Sequence, residues 1–225
     1  MKDFLQQKLL FDGDKGVYDE YGEPIMVDWE DQWMEESAKI ICNKGGRVLN
    51  IGFGLGIIDR YIQKYDIEHH TIIEPHPDIH KKMIKDGWFT KPNVNVLPVE
   101  WQEVKLDDIG MFDGVYFDAY YIADQSFAGG KGFLEDFIPM LSKMLKPDGV
   151  FSFWPGPIFE SFKAQHKQFR NNLMSALQPT FQLEKKRYKY SDTELNRKRL
   201  KYGSSKNFTI PVITYRDIPS NKPMI

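Results

Sequence analysis

Arg47-Val-Leu-Asn-Ile-Gly-Phe-Gly-Leu-Gly56, followed by Thr71-Ile-Ile-Glu-Pro75, decides the fold. Val48, Leu49 and Ile51 make a short apolar strand that runs straight into Gly52, Gly54 and Gly56 at alternate positions. A second strand, near 69–74, ends on the carboxylate of Glu74, with Pro75 behind it. In an open parallel sheet, ligands sit beyond the carboxyl ends of the strands. Glycines there let the backbone come close, and an acid at the end of the second strand can accept hydrogen bonds from a ribose. The pairing predicts a site for a ligand that carries an adenosine.

Outward from that stretch, strands are expected near 47–52, 69–74, 93–98, 112–118 and 149–154. Helices are expected near 55–65, 77–87, 101–109, 132–145 and 158–177. Such alternation is the mark of βαβ units and a parallel sheet. Phe181 to Tyr190 and Phe208 to Tyr215 have no strong helix between them and read as an antiparallel pair. Before the glycine stretch, residues 1–24 are polar and broken by Gly13, Gly16, Gly22 and Pro24. From 25 to 42, Met26, Trp29, Trp33, Met34, Ile40 and Ile41 recur near helical spacing, so a helix is expected there. The chain therefore divides into an N-terminal helical lid, 1–43, and one compact unit, 44–225.

Composition narrows the class. Hydrophobic residues make up 41% of the 225 and aromatics 14%, enough for a packed core and incompatible with wholesale disorder. The net charge of −2 argues against a dedicated nucleic-acid binder. Cys42 is the only cysteine, so no intramolecular disulfide forms, and its apolar neighbours mark it as a core residue. No apolar run approaches the roughly 20 residues needed to cross a bilayer, and Lys2, Asp3, Gln6 and Gln7 interrupt any signal peptide. A cytoplasmic protein is expected, with the nucleus as the second compartment. His69 and His70 are adjacent, and His76 and His80 stand among prolines and lysines, so no metal cluster is expected.

The dinucleotide fingerprint G-x-G-x-x-G/A needs a small third residue, and counting from Gly52 that position is Ile57. A dehydrogenase reading fails there. The pattern present, G-x-G-x-G, resembles the S-adenosylmethionine loop of class I methyltransferases. That resemblance implies a Rossmann-like α/β fold: a mostly parallel seven-stranded sheet with an antiparallel C-terminal edge, preceded by an extra N-terminal helix.

Two acids carry the expected chemistry. Strand four reads Phe112-Asp-Gly-Val-Tyr-Phe-Asp118; Val115 and Phe117 suit burial, and Asp118 emerges at the same sheet edge as Gly52 and Glu74. Carboxylates are seldom buried there without a partner. The second acid is Glu30, four residues from both Met26 and Met34, so a continuous helix would put all three on one face. Two carboxylates beside a methyl donor suit a guanidinium, which is planar, forked and always charged. Asp118 and Glu30 are thus the candidate catalytic pair, clamping the guanidinium and taking up its departing proton.

At these residues the chain resembles the guanidino-nitrogen methyltransferase group, which holds guanidinoacetate N-methyltransferase and the protein arginine methyltransferases of the internal (delta) nitrogen. The resemblance rests on Met26-Val-Asp-Trp-Glu30 with Met34, Gly45 to Gly54, Ile72-Ile-Glu74, Glu100-Trp101 and Phe112 to Asp118. It implies that Met26, Met34, Gly52, Phe53, Gly54, Leu55, Gly56, Ile57, Glu74, Pro75, Glu100, Trp101 and Asp118 line an S-adenosylmethionine site. It implies as well that Glu30 and Asp118 hold the substrate guanidinium. Two departures stand out: no tryptophan precedes Trp29, and Phe117-Asp-Ala-Tyr-Tyr121 lacks the proline of the guanidinoacetate enzyme's motif. Protein arginine and a small guanidino compound, such as guanidinoacetate or free arginine, both stay open as substrates.

Residues 185–206 carry nine Lys or Arg against Asp192 and Glu194. This is either a solvated loop or a contact for an acidic partner such as a ribosomal particle. It also keeps a nucleic-acid base methyltransferase in play, although Asp118-Ala-Tyr-Tyr121 has none of the prolines that follow strand four in amino-group enzymes of that kind. A non-catalytic methyltransferase-like scaffold is the third reading; it gives no physical reason for paired acids in a pocket. Monomer and homodimer are both open.

Overall fold

The structure is a computed structural model that describes residues 4–119, 133–155, 164–199 and 205–216. Its centre is a seven-stranded sheet, built on β4 (Arg47–Ile51), β5 (His69–Ile73), β6 (Val94–Leu97), β7 (Phe112–Phe117), β8 (Leu145–Phe153), β9 (Phe181–Lys189) and β10 (Asn207–Tyr215). The order across the sheet is β6-β5-β4-β7-β8-β10-β9. From β6 through β8 every pairing is parallel, whereas β10 pairs antiparallel with both β8 and β9. The chain leaves β4 toward β5 on one side and returns to β7 on the other, so the topological switch point lies between β4 and β7. That is where an open α/β sheet leaves a crevice for ligand.

Alternate strand residues face opposite layers. Val48, Ile72 and Tyr116 pack with Ala38 and Ile41 of α1 (Asp31–Ile41), Ile57, Ile58 and Ile62 of α2 (Ile57–Ile62), and Ile79 and Met83 of α3 (Pro77–Lys85). Leu49, Ile51, Val115, Phe117 and Phe151 face the other way, toward Phe137 and Leu141 of the helix Phe133–Met144 and Leu173 and Leu177 of the helix Ala164–Leu177. A third cluster joins Trp33 and Ile40 of α1 to Val150, Phe208 and Ile210. Gly114 lets α1 lie close on β7: a Cβ there would stand 2.0 Å from the Ile41 carbonyl oxygen.

The N-terminal region departs from the sequence expectation. Instead of one helix over 25–42, β1 (Leu10–Asp12), β2 (Gly16–Tyr18) and β3 (Pro24–Val27) form a three-stranded antiparallel sheet, and a 3-10 turn, Asp28–Glu30, leads into α1. Val17 pairs with Met26, so Met26 is extended and shares no helical face with Glu30. Pro24 begins the segment, and tertiary pairing with β2 sets its conformation in place of the apolar spacing. The region 101–109 is likewise split into a 3-10 turn, Trp101–Glu103, and a short helix, α4 (Leu106–Ile109). A helix, Glu194–Arg199, stands between β9 and β10, where none was expected. The expected helix start near 158, the pair Tyr120-Tyr121 and positions 200–204 of the basic stretch lie outside the described residues.

Candidate functional site

The crevice is built from the carboxyl ends of β4, β5 and β7. Gly52 has φ +93, and a Cβ there would stand 2.2 Å from the Asp118 carbonyl oxygen, so only glycine lets the two strand ends sit side by side. Gly54, with φ +56, leaves room for Met26, whose sulfur would be 2.9 Å from an added Cβ. The Met26 sulfur accepts the Leu55 N–H at 3.3 Å. Strand β3 therefore lies directly on the glycine turn.

Glu74 sits beneath that turn. One carboxylate oxygen accepts the Phe53 N–H and the other the His76 N–H, each at 2.8 Å. Burial raises its proton affinity, and the N–H groups of Phe53, His76 and Gly54 with nearby His80 oppose the rise. His80 Nε2 also meets the Glu74 carbonyl oxygen. A carboxylate has about four lone-pair directions, so these N–H bonds leave acceptor capacity for a diol.

Behind the turn lies a polar cluster that sequence reasoning missed. Asn50 Nδ2 donates to the Gly52 carbonyl at 2.7 Å and to Asp59 at 2.9 Å, and Asp59 stands 3.2 Å from His70 Nε2. All three residues are fully buried. Their signal was in the sequence: Asn50 interrupts an otherwise apolar strand, and a buried polar residue is more informative than an exposed apolar one.

The two candidate acids come from separate elements, and the charge of Asp118 acts on Glu30. Glu30 closes the 3-10 turn, is buried, and accepts the Val27 N–H at 3.4 Å. Burial, then the charge of Asp118, push its carboxyl well above the ordinary range. Asp118 follows β7, its N–H donating to the Ile51 carbonyl at 2.8 Å. Burial, with the charge of Asp59 behind it, pushes the Asp118 carboxyl up to about 7. Tyr116, fully enclosed next to them, is raised by burial and by both acids, and its hydroxyl donates to the Met34 sulfur at 3.6 Å. Without a cation, this pair retains protons that free carboxylates would have lost. A cation between them would release those protons.

The other expected cofactor residues divide by role. Phe53, Leu55 and Ile57 bury their side chains in the core, Phe53 edge-on to Trp88, so only their backbones border the crevice. Gly56 closes the turn with φ +67 at the start of α2. Pro75 is half-buried beside Glu74. Met34 is fully enclosed. Glu100 is exposed, and Trp101 packs edge-on against Phe117 and Phe137 on the opposite face of the sheet from Met26. Trp154, absent from the expected set, follows β8 at the same edge as Asp118; its N–H donates to the Phe117 carbonyl at 3.1 Å, and its ring lies 6.1 Å from that of Trp33. No group of metal-binding side chains exists among the described residues.

Strand order, glycine turn and Glu74 together define a Rossmann-like fold of the class I methyltransferase type. The chain belongs to the guanidinoacetate N-methyltransferase family, whose model matches residues 6–215. It is similar to a protein arginine N-methyltransferase 2 of Yarrowia lipolytica, 40% identical over 161 residues, which covers 68% of this chain and 33% of that protein. A protein arginine N-methyltransferase 2 of Aspergillus oryzae is 31% identical over 224 residues, covering 95% of this chain and 52% of the relative. The chain thus spans from a third to about half of these relatives' length. Among solved structures, M. jannaschii TYW2 in complex with AdoMet superposes with a TM-score of 0.51 at 14% identity, covering 96% of this chain and 87% of that one. No helix among the described residues is long and apolar enough to cross a membrane.

Proposed function

We propose that this chain transfers a methyl group from S-adenosylmethionine to a guanidino nitrogen of arginine. The observation that carries the reading is that Glu30 and Asp118, from two separate elements, lie near enough for the charge of Asp118 to act on Glu30, with Asp118 at the sheet edge that bears the glycine turn. Family membership supports it, and the names of the relatives favour arginine within a protein over a free guanidino compound.

The crevice fits the cofactor. The absent Cβ atoms of Gly52 and Gly54 leave the backbone open, and Glu74 offers remaining lone pairs to a ribose diol. Gly52 to Ile57, Glu74, Pro75 and Met26 would hold it, with Met34, Glu100 and Trp101 behind or beside those walls. S-adenosylmethionine supplies a methyl group on a positively charged sulfur. Glu30 and Asp118 orient the guanidinium and draw its charge toward the two nitrogens they hold. This leaves electron density on the third for attack on the methyl carbon. Methyl transfer from the cofactor's sulfur would release one guanidino proton, which Asp118 or Glu30, holding the guanidinium, would be placed to accept. Alignment of reactants supplies on the order of 7–11 kcal/mol in well-oriented cases, more than the proton transfer contributes.

Two measurements test this. Calorimetry with S-adenosylhomocysteine should give a saturable isotherm, and none at millimolar ligand rejects the cofactor. Incubation with deuterated-methyl cofactor and arginine peptides, free arginine or guanidinoacetate, read by mass spectrometry, should label a guanidino nitrogen. Label on nucleic acid alone would reject the acceptor.

A further inference from the structure

The basic stretch, which runs from the end of β9 to the start of β10, plays no part in the chemistry above, yet it is fastened to α1, the helix that directly follows Glu30. Gln32, two residues past Glu30, makes the joint. Its Nε2 donates to the Lys189 carbonyl at 3.2 Å. Its Oε1 accepts from the Ser191 N–H at 2.9 Å, the Ser191 hydroxyl at 3.0 Å and Asn196 Nδ2 at 2.9 Å. Asn196 is only 6% exposed; its Nδ2 also reaches the Ser191 carbonyl at 2.8 Å, and its N–H donates to the Thr193 hydroxyl at 3.2 Å. The helix Glu194–Arg199 packs against the turn Asp28–Glu30.

That turn needs bracing. It is three residues long, and the bond from the Val27 N–H to the Glu30 carboxylate is a long 3.4 Å. It also brings one carboxylate toward another, and like charges in a water-poor crevice push apart. A network of several hydrogen bonds converging on one amide, anchored by the buried Asn196, is the kind of interaction that fixes a single geometry.

Resting on the reading of Glu30 as a substrate acid, we propose that Asn196 and Gln32 are positioning residues that hold Glu30 opposite Asp118. The two anchor points are 164 residues apart in sequence, so the geometry around Glu30 depends on a segment distant in the chain.

The test uses the full chain. In Asn196→Ala and Gln32→Ala, KM for the arginine acceptor should rise about tenfold, as expected for loss of a part-buried joint of several hydrogen bonds. kcat should fall less, and S-adenosylhomocysteine should bind as in the wild type. Gln32→Glu keeps an acceptor for the three donors and should raise KM less than Gln32→Ala. The double Ala variant should be little worse than either single one. Hydrogen exchange at amides 28–32 should quicken in each Ala variant. Unchanged exchange at 28–32 in Asn196→Ala overturns the positioning role whatever the acceptor. Equal loss of acceptor and S-adenosylhomocysteine affinity reduces the joint to a general fold contact and overturns it too. A wild-type chain that methylates no guanidino compound overturns instead the reading on which the proposal rests.

Discussion

Replacing Asp118 by asparagine should make the ligand-free protein more stable and the enzyme far slower, and pH separates the two effects. In the folded chain the carboxyl lies at about 7 instead of 3.8, chiefly through burial and then through Asp59. At about 1.36 kcal/mol per tenfold change in proton affinity, holding it ionised above pH 7 costs at most roughly 4 kcal/mol. The side chain is partly exposed, and solvent screening brings that to about 2 kcal/mol. The sign follows from proton counts. Between 3.8 and about 7 the folded state keeps a proton that the unfolded state has released, so stability falls as pH rises through that window. Asparagine escapes this. Asp118→Asn should gain little at pH 4 and about 4–8 °C in Tm at pH 8, at roughly 2–4 °C per kcal/mol for a chain this size. Turnover should meanwhile drop roughly 10²–10⁴-fold, since breaking one side of a buried charged clamp costs about 3–5 kcal/mol. Scanning fluorimetry at both pH values and initial rates on an arginine acceptor measure both. A variant no more stable than wild type at pH 8, or one as active as wild type, refutes the reasoning.

Three further outcomes are expected. Gly52→Ala forces a Cβ to 2.2 Å from the Asp118 carbonyl at a φ of +93; it should lower Tm and abolish S-adenosylhomocysteine binding, and an unchanged isotherm would show that the turn can open. Glu74→Ala leaves the Phe53 and His76 N–H groups without their acceptor and should weaken cofactor binding at least about tenfold, as loss of a charged hydrogen-bond partner does; calorimetry decides, equal affinity counting against a ribose contact. Asp59→Asn removes the second cause of the Asp118 shift, so the rising limb of the kcat/KM–pH profile should move to lower pH; an unmoved limb would detach that limb from Asp118.

The site's inner half was legible because it is local. Strand, glycine turn and terminal acid lie within a single βαβ unit, and the apolar run Val48, Leu49 and Ile51 leading into the glycines fixes at which sheet edge the turn and Glu74 lie. Asp118 was legible for the same reason, as a polar residue at the end of a buried strand. Met26 was placed on a helix because β3 is four residues long, too short for its own period to outweigh the helical spacing of Trp29, Trp33 and Met34. Its true position depends on the pairing of Val17 with Met26, which composition does not encode. The insertion of β10 between β8 and β9, and the grip of Gln32 on Asn196, are contacts between distant parts of the chain. A single sequence gives no local signal for either.

One short segment has Met26 against the glycine turn and, four residues later, Glu30, on which the charge of Asp118 acts. Met26 is fixed by that turn and by its pairing with Val17 whether or not Glu30 is braced, whereas the arginine needs Glu30 as well, so the nucleoside should enter before the arginine and S-adenosylhomocysteine should leave last. Product-inhibition kinetics would register this as competition between the two nucleosides alone, and a random pattern would mean that the strand flexes between its two ends.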